Sequence, residues 1–506
     1  MRFIAAPPVR LPRSCSSRPT GVRVEGPHLS GHLTLSRLVR LTFEPPRRFG
    51  APVTAPEKST RDVIPLRVAA RAWFAISLQT FGGPAGQIAV MQRTLVDEKR
   101  WIGQQRFLFA LSYCTLLPGP EAQQLATYVG WLLNGVRGAL VAGLLFILPG
   151  VVALLVLSGV YVAFGDTTLV ESLFLGLAPA VIAIVLQAVV RVGRKGLGHP
   201  ALVALAVVSF VALTFFGVPF PAVVLAAAVI GWFLGRRIPT LTRAPRAAVD
   251  DGPPPLVSDD ALHAERPSGR RSALILVIGL VVWFAPVALA ALAFGRSSIF
   301  VDQGLFFSGA AVVTFGGAYA VLAYVAQQAV EVYGWLAPGE MVRGLALAET
   351  TPGPLIMVVQ FVAFVGAYRA PGELDPWVAA VIAALLTTWV TFVPCFLFIL
   401  LGAPYVERLR GNRDLAAALA GITAAVVGVI ASLAIFFALH TLFDETGRVT
   451  AGPLDLEYPH LASLDWASLA ITALGCALIF WRGWSVLRTL GACALAGVVI
   501  GLALAA

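Results

Sequence analysis

The sequence predicts an all-α polytopic membrane protein of two inverted-topology repeats, with broken helices at Gly-Gly and Pro-Gly-Pro motifs. The chain has 506 residues, of which 58% are hydrophobic and 13% charged, whereas soluble globular chains carry about 25% charged residues. Several apolar runs reach the roughly 20 residues that cross a bilayer, and none alternates in polarity as a membrane β-strand would. The runs are 138–164, 169–190, 273–294 and 378–401, with a shorter one at 490–505.

Residues 1–64 precede the first apolar run and are rich in Arg, Pro and Ser. They contain no apolar stretch long enough for a signal peptide. We expect a disordered basic N-terminal extension or an upstream start codon wrongly assigned; a lipid-surface or regulatory role is the alternative. The remaining boundaries follow from composition: a first repeat at 65–235, a cytoplasmic linker at 236–271, a topology-inverting helix at 272–300 and a second repeat at 301–506.

The first repeat contains two breaks in otherwise apolar sequence, Thr80-Phe81-Gly82-Gly83-Pro84 and Pro118-Gly119-Pro120. Gly and Pro at this density interrupt a helix. The apolar segments on either side of the second break, 107–117 and 122–133, are too short to span, which predicts a helical hairpin or two half-helices. Because broken helices at membrane depth are tolerated where they line an enclosed cavity, this region is the first candidate for a substrate site.

The second half repeats these motifs at a constant spacing. Thr314–Gly317 follow Thr80–Gly83 by 234 positions, and Trp335 follows Trp101 and Pro352–Pro354 follow Pro118–Pro120 by the same number. Further on, residues 421–426 resemble residues 176–181 at a spacing of 245. Matches at one ungapped spacing indicate an internal duplication.

Loop charges predict that the two copies face opposite ways. The segment 92–106 holds four basic residues, whereas its counterpart 326–340 holds none. The loop at 191–199 is basic, whereas the region after Phe437 is acidic. Because Lys and Arg mark the cytoplasmic side, the copies should be inverted, a pattern typical of secondary transporters with broken helices at the midplane.

The paired breaks predict an anion site. A half-helix N-terminus carries partial positive charge and unpaired N–H groups, amide and hydroxyl donors lie beside each break, and a basic cluster could draw anions to the cavity mouth. The alternatives are kinks that allow close helix packing and a solvated charge run. The candidate substrate-binding residues are Gly82, Gly83, Arg93, Lys99, Arg100, Pro118, Gly119, Pro120, Gln123, Gln124, Gly316, Gly317, Thr351, Pro352, Gly353, Pro354 and Gln360.

Glu121 and Glu349 lie next to the two Pro-Gly-Pro breaks. Ionisable residues at membrane depth are costly and usually functional, so both are candidate proton carriers. The alternative is a helix-end carboxylate within reach of water.

Other functional classes lack their signatures. No P-loop motif for ATP-driven transport and no protease or hydrolase motif occurs, and the five cysteines and six histidines are scattered. We therefore expect no enzyme activity, cofactor or metal site. The net charge of +10 is interpreted as cytoplasmic loop charge rather than as a nucleic-acid surface.

Three segments of the first repeat resemble the chromate ion transporter (CHR) family: 81–89 (FGGPAGQIA), 95–102 (LVDEKRWI) and 113–127 (YCTLLPGPEAQQLAT). The likeness runs from about residue 65 to the C-terminus and is to the long two-domain form. It implies an inner-membrane transporter that exports chromate from the cytoplasm, with sulfate as the natural analogue, driven by the membrane potential or a proton gradient. In the second half Ala318 replaces Pro84 and the Asp97–Arg100 run is missing, so charge-dependent roles do not carry over to that half.

These observations lead to one functional hypothesis: efflux of chromate, with sulfate as competitor, by alternating access around the two breaks, conferring chromate resistance. Uptake of sulfate or another small anion by the same fold is the first alternative, and an intramembrane enzyme or scaffold is the second. The lipid bilayer is an expected partner, and a homodimer stays open. Since the first copy keeps most of the charges, it is expected to be the chemically sensitive one.

Overall fold

The computed structural model describes residues 63–81, 83–115, 117–238, 255–257, 268–315, 318–405, 413–452 and 454–505. Residues 1–62, most of the linker, and the candidate site residues Gly82, Gly316 and Gly317 lie outside the described residues. The predictions made for these parts stay predictions.

The described residues form sixteen α-helices, and every long apolar run of the sequence is helical. The helices are α1 Leu66–Ser77, α2 Gly83–Gln92, α3 Gln104–Cys114, α4 Glu121–Phe164, α5 Thr168–Gly196, α6 Pro200–Phe216, α7 Phe220–Arg237, α8 Gly269–Phe294, α9 Ile299–Val313, α10 Ala318–Gln327, α11 Glu340–Thr350, α12 Val358–Arg369, α13 Pro376–Gly402, α14 Arg413–Leu442, α15 Trp466–Phe480 and α16 Val486–Ala505. Short π-helices follow α2 (Arg93–Glu98) and α10 (Gln328–Val332), and a 3-10 turn (Leu355–Met357) precedes α12.

Seven of these helices are long and apolar enough to cross a membrane: α4, α5, α7, α8, α13, α14 and α16. Four shorter apolar helical segments lie among them. The predicted all-α polytopic membrane class is therefore confirmed.

A two-stranded antiparallel hairpin is a departure from helix that the sequence analysis missed. Strand β1 (Thr446–Ala451) pairs with β2 (Leu454–Pro459), Thr446 opposite Pro459, in the acidic stretch between α14 and α15. The turn uses Gly452 at φ 61°, a backbone conformation that glycine adopts without steric cost.

Helix α4 is a folded-back pair of arms, 121–133 and 136–164. Between them, Asn134 and Gly135 have non-helical backbone angles, with φ 59° at Gly135. A Cβ placed on Gly130 would lie 2.4 Å from the carbonyl oxygen of Gly138, although residues eight apart in a straight helix are about 12 Å apart. The first arm is thus a half-helix that follows the Pro-Gly-Pro break, and the second is a full-length span.

The second half repeats the element order of the first. The first half contains α1, α2, a π-helix and α3 in that order. The second half contains α9, α10, a π-helix and α11 in the same order. The backbone repeats at single residues too: Gly119 and Gly353 have φ 122° and 118°, and Arg100 and Gly334 have φ 46° and 62°. Each pair is separated by the 234 positions found in the sequence.

The halves are interlocked by reciprocal packing. Helix α5 packs against α15 and α16 of the other half, and its counterpart α14 packs against α6 and α7. Glycines allow the closest approaches: Gly176 meets Gly497, and their counterparts Gly421 and Gly231 meet in the same way. Exchange of equivalent contacts is the pattern of a two-fold axis. The orientation of that axis in the membrane, which decides whether the repeats are inverted, stays a prediction.

Candidate functional site

The Pro-Gly-Pro break of each half reaches the Gly-Gly break of the other half. The Gly119 N–H donates to the carbonyl oxygen of Thr314 at 2.7 Å. In the equivalent position, the Gly353 N–H donates to the carbonyl oxygen of Thr80 at 3.1 Å. Both threonines are fully buried. The four motifs that the sequence marked as helix breaks therefore meet in pairs inside the protein.

The central glycine of each Pro-Gly-Pro break, which we call the tip, also packs against a proline-containing helix of the other half. A Cβ on Gly119 would lie 2.7 Å from the Sγ of Cys395 in α13, and one on Gly353 would lie 3.3 Å from the Cα of Gly150 in α4. Cys395 follows Pro394 and Gly150 follows Pro149, at the repeat spacing of 245. Because proline interrupts helical hydrogen bonding, both tips lie where the partner helix has freed backbone groups.

The helical segments after the two breaks begin without side-chain caps. Helix α4 starts directly after Pro120 and the 3-10 turn starts after Pro354, and neither proline position provides a capping hydrogen bond. First-turn N–H groups have no acceptor within their own helix. This arrangement suits the predicted anion-binding role of the half-helix N-termini.

The polar side chains of the first copy are completely buried beside its tip. The Gln124 Nε2 donates to the carbonyl of Pro118 at 2.7 Å, and the Gln123 Nε2 donates to Thr127 Oγ1 at 3.1 Å. The Oε1 atoms of both glutamines are buried with no hydrogen-bond partner among the described residues. Gln124 thus stabilises the conformation of the break itself.

Gln360 and Thr351 of the second copy are bonded within the protein in this conformation. The Gln360 Nε2 donates to the carbonyl of Val151 at 2.9 Å, and its Oε1 accepts from Thr388 at 3.0 Å. The Thr351 hydroxyl donates to the carbonyl of Ala348 at 2.9 Å. Gln360 therefore connects α12 to α4 and α13.

Two residues that the sequence analysis missed lie where the breaks meet. The Gln87 amide donates to the carbonyl of Gly353. The Tyr319 hydroxyl donates to Glu349 Oε1 at 2.5 Å and lies 3.9 Å from a Cβ placed on Gly83. A comparison of the two repeats could have identified these residues, because each is polar where the equivalent position of the other repeat is apolar. Gln87 corresponds to Val321, and Tyr319 corresponds to Ala85.

Glu349 is a buried carboxylate with one oxygen engaged. The residue is 2% exposed, and its Oε2 has no hydrogen-bond partner among the described residues. The Arg191 guanidinium, near the end of α5, acts on it electrostatically. Glu121 is partly buried at the start of α4, where Lys195 of α5 acts on it. The two candidate proton carriers are thus each influenced by a cation of the same helix end.

The predicted basic cluster lies on the π-helix after α2 and on the loop that follows it, near the first break. The Arg93 Nη2 donates to Gln79 Oε1 at 3.0 Å, and its Nε is 3.4 Å from Glu98 Oε1. The Lys99 Nζ is 5.3 Å from the centre of the Trp101 ring. The structure connects this cluster to the break through Gln79, just before Thr80, but does not bring it into the buried centre.

An ion pair with a buried carboxylate and a solvent-exposed guanidinium closes the far end of the second helical hairpin, where sequence reasoning marked nothing. Arg369 at the end of α12 donates to both carboxylate oxygens of Glu340 at the start of α11, at 2.6 and 2.8 Å. Tyr161 and the backbone N–H of Ala337 donate to the same carboxylate at 2.7 Å each. The pair joins the two half-helices at the end opposite the Pro-Gly-Pro tip.

A cavity of about 400 Å³ lies beneath the β-hairpin, bordered by the α6–α7 turn, α10 and α14. Two side-chain contacts fasten the hairpin over it: an ion pair of Arg448 with Glu331 at 3.7 Å, and a contact of His440 Nε2 with Glu457 Oε1 at 3.3 Å. Among the described residues, no group of three or more His, Cys, Asp or Glu side chains is close enough to hold a metal ion.

Comparison with known proteins adds an independent finding. The family model described as Chromate transporter matches residues 68–232 and 301–498. The chain is 34% identical over 367 residues to the chromate transport protein of Pseudomonas aeruginosa, covering 71% of this chain and 77% of that one. It is 30% identical over 365 residues to the chromate transport protein of Cupriavidus metallidurans, covering 72% and 80% respectively.

A shorter relative matches a stretch of about one repeat. The uncharacterised transporter YwrA of Bacillus subtilis is 26% identical over 163 residues, which is 92% of that protein and 32% of this chain. No solved structure matches this chain. The two-part family match and the full-length relatives agree with the duplicated helix breaks, and the chain belongs to the chromate transporter family, in its long two-domain form.

Proposed function

We propose that the chain is a secondary transporter that exports chromate from the cytoplasm across the inner membrane and so confers chromate resistance. The observation that carries the proposal is the reciprocal pair of hydrogen bonds from Gly119 to Thr314 and from Gly353 to Thr80. It brings the breaks of both halves together, as a midplane site between inverted repeats requires. Support for the substrate comes from relatives named as chromate transport proteins.

The anion binds at the uncapped starts of the half-helices. Chromate and sulfate are tetrahedral dianions, so backbone N–H groups at a helix N-terminus suit either of them. Lys99 and Arg100 raise the local concentration of anions near the first break. Tyr319 and Gln87 add a hydroxyl and an amide where the copies meet.

Alternating access depends on two nearly equivalent contacts, the Gly119–Thr314 and Gly353–Thr80 hydrogen bonds. When one contact opens and the other stays closed, the site faces one side of the membrane. Exchange of the open and closed contacts turns the site to the other side. Because the halves are related by a pseudo-two-fold axis, the two states have similar packing, so the difference in free energy between them is small.

Glu349 couples this exchange to protons, with Glu121 as the parallel candidate in the first copy. A charged carboxylate with a buried unpartnered oxygen is costly, so Glu349 carries a proton while enclosed and releases it when its side opens to water. Export of one proton together with a dianion moves one net negative charge outward, so an inside-negative membrane potential favours export.

Uptake of sulfate by the same site is the second candidate function, since the breaks bind both anions by the same groups. The deciding experiment measures chromate accumulation in cells that express the chain, with and without excess sulfate and with an uncoupler. Lower accumulation, reversed by the uncoupler and by sulfate, is expected. Unchanged accumulation and unchanged chromate resistance would refute export, and raised sulfate accumulation would favour uptake. Cross-linking in the membrane tests whether the chain forms a homodimer, the question that the sequence leaves open.

A further inference from the structure

A short segment of the linker pairs with the basic loop of the first repeat. The Leu256 N–H donates to the carbonyl of Arg100 at 3.0 Å, and the Val257 N–H donates to the carbonyl of Trp101 at 3.0 Å. The Gly103 N–H returns a bond to the carbonyl of Val257 at 3.3 Å. Val257 pairs with Ile102 in an isolated parallel β-bridge, and we refer to residues 255–257 as the docked strand. In this mode of attachment main-chain hydrogen bonds supply the affinity.

One side chain anchors this strand. Val257 is 4% exposed and packs into the main apolar core, which also contains Trp101 and Ile102. The neighbouring Leu256 is 61% exposed. The docked strand is therefore attached by backbone hydrogen bonds and by the buried side chain of Val257, whereas the side chain of Leu256 is exposed to solvent.

The loop that receives the strand has an unfavourable backbone conformation. Arg100 has φ 46° and is the only non-glycine residue with positive φ among the described residues. Its counterpart in the second repeat is Gly334, at φ 62°. Glycine adopts this conformation freely, whereas a residue with a Cβ does so at a cost. Among the described residues, no strand pairs with the counterpart loop at 334–336.

The contrast between the copies points to a role for the linker. In the second copy, where glycine relieves the strain, no strand from the described part of the chain pairs with the loop. In the first copy, the linker donates a hydrogen bond directly to the carbonyl of the strained Arg100. We infer that residues 255–257 are an intramolecular clamp that holds the loop bearing Lys99 and Arg100 in its anion-capturing conformation. Release of the clamp lowers the affinity for the anionic substrate, so the linker controls capture. This rests on the proposed function of that loop.

The docked strand is tested first without any transport measurement. In inside-out vesicles, a membrane-impermeant maleimide is applied to Val257→Cys and to its neighbour Leu256→Cys. We expect rapid labelling at position 256 and much slower labelling at 257, because only the second side chain is buried. Equal rates would overturn the clamp.

The control of affinity is tested with two substitutions at one exposed position. Leu256→Pro removes the N–H that bonds to Arg100, whereas Leu256→Ala keeps it. For Leu256→Pro we expect the KM for chromate to rise about fivefold, the worth of about one hydrogen bond, with the maximal rate unchanged; Leu256→Ala should match the wild type. The Leu256→Pro change should also speed labelling of Val257→Cys in the double variant.

The outcomes separate this inference from the proposed function. Wild-type chromate transport with an unchanged KM in Leu256→Pro overturns control of affinity and leaves the proposed function standing. A wild-type chain that does not transport chromate overturns the proposed function and the affinity role with it, and the labelling contrast still decides whether the strand docks.

Discussion

The amide of Gly119 and the carbonyl of Thr314 are 195 residues apart in the chain and 2.7 Å apart in the structure. The same bond joins Gly353 to Thr80. Neither partner is a side chain, so the contact depends on backbone conformation alone. At Gly119 and Gly353 that conformation has φ 122° and 118°, which side-chain-bearing residues rarely adopt.

Gly119→Ala is expected to reduce chromate transport at least tenfold, since a tip displacement of about 1 Å can cost a hundredfold in a positioned site. The new Cβ would lie 2.7 Å from Cys395 Sγ, so Cys395→Ala should restore part of the loss. The control is Gly309→Ala, where no neighbour lies within 4 Å of the added Cβ. Full activity of Gly119→Ala at normal expression would contradict the role of the tip.

Glu349→Gln is expected to separate chromate binding from proton coupling. The neutral amide keeps the shape of the side chain but cannot release a proton, so chromate exchange in proteoliposomes should continue while transport driven by a pH gradient should stop. Tyr319→Phe removes the hydroxyl that donates to Glu349 and should shift the pH profile of transport with a smaller loss of rate. The control is the exposed Glu373→Gln. Gradient-driven transport by Glu349→Gln at the wild-type rate would remove Glu349 from the coupling mechanism.

Glu340→Gln is expected to lower the stability of the second hairpin by about 2 kcal/mol, the scale of hydrogen bonds to a charged group. Glu340 is 8% exposed at its side chain and Arg369 is 48% exposed, so solvent weakens the pair from one side. Thermal unfolding in detergent measures the effect. The matched control is Asp414→Asn, which breaks the pair with Arg236; because both side chains of that pair are exposed to solvent, its loss should destabilise the protein much less. An equal loss of stability in both variants would mean that the burial of Glu340 does not strengthen its ion pair.

Reporters at Ala248 in the linker and at Gly452 in the β-hairpin test the inverted topology. Both positions avoid the docked strand at 255–257. The linker reporter should be cytoplasmic and the hairpin reporter external, because the loop charges of the two halves swap sign. Accessibility of both reporters from the same side of the membrane would rule out inverted repeats.

Buried polar side chains lie beside the breaks in both copies. The first copy holds the basic loop and the buried Gln123 and Gln124. The second copy holds Tyr319 and the buried Glu349, whose counterparts in the first copy are Ala85 and Thr115. We therefore expect chemical sensitivity in both halves, of different kinds: affinity in the first and coupling in the second.

The sequence by itself determined the class, the spans and the helix breaks. Apolar length decides which segments cross a bilayer, and Gly and Pro interrupt helices through local sterics, so neither needs tertiary information. The duplication was readable for the same reason, since Thr80–Gly83 and Pro118–Pro120 recur as residue types at fixed spacing. Even the resemblance to a transporter family rested on these local motifs.

Only the tertiary structure decided what the breaks contact. The hydrogen bonds from Gly119 to Thr314 and from Gly353 to Thr80 join the two halves through backbone atoms. Because every residue has these atoms, the residue types in the sequence do not indicate which positions pair. The Tyr319–Glu349 contact and the clamp at Val257 are likewise pairings across 30 and about 155 positions. Local pattern sets which segments form helices and where those helices break, whereas long-range packing sets which break meets which, and that pairing forms the candidate site.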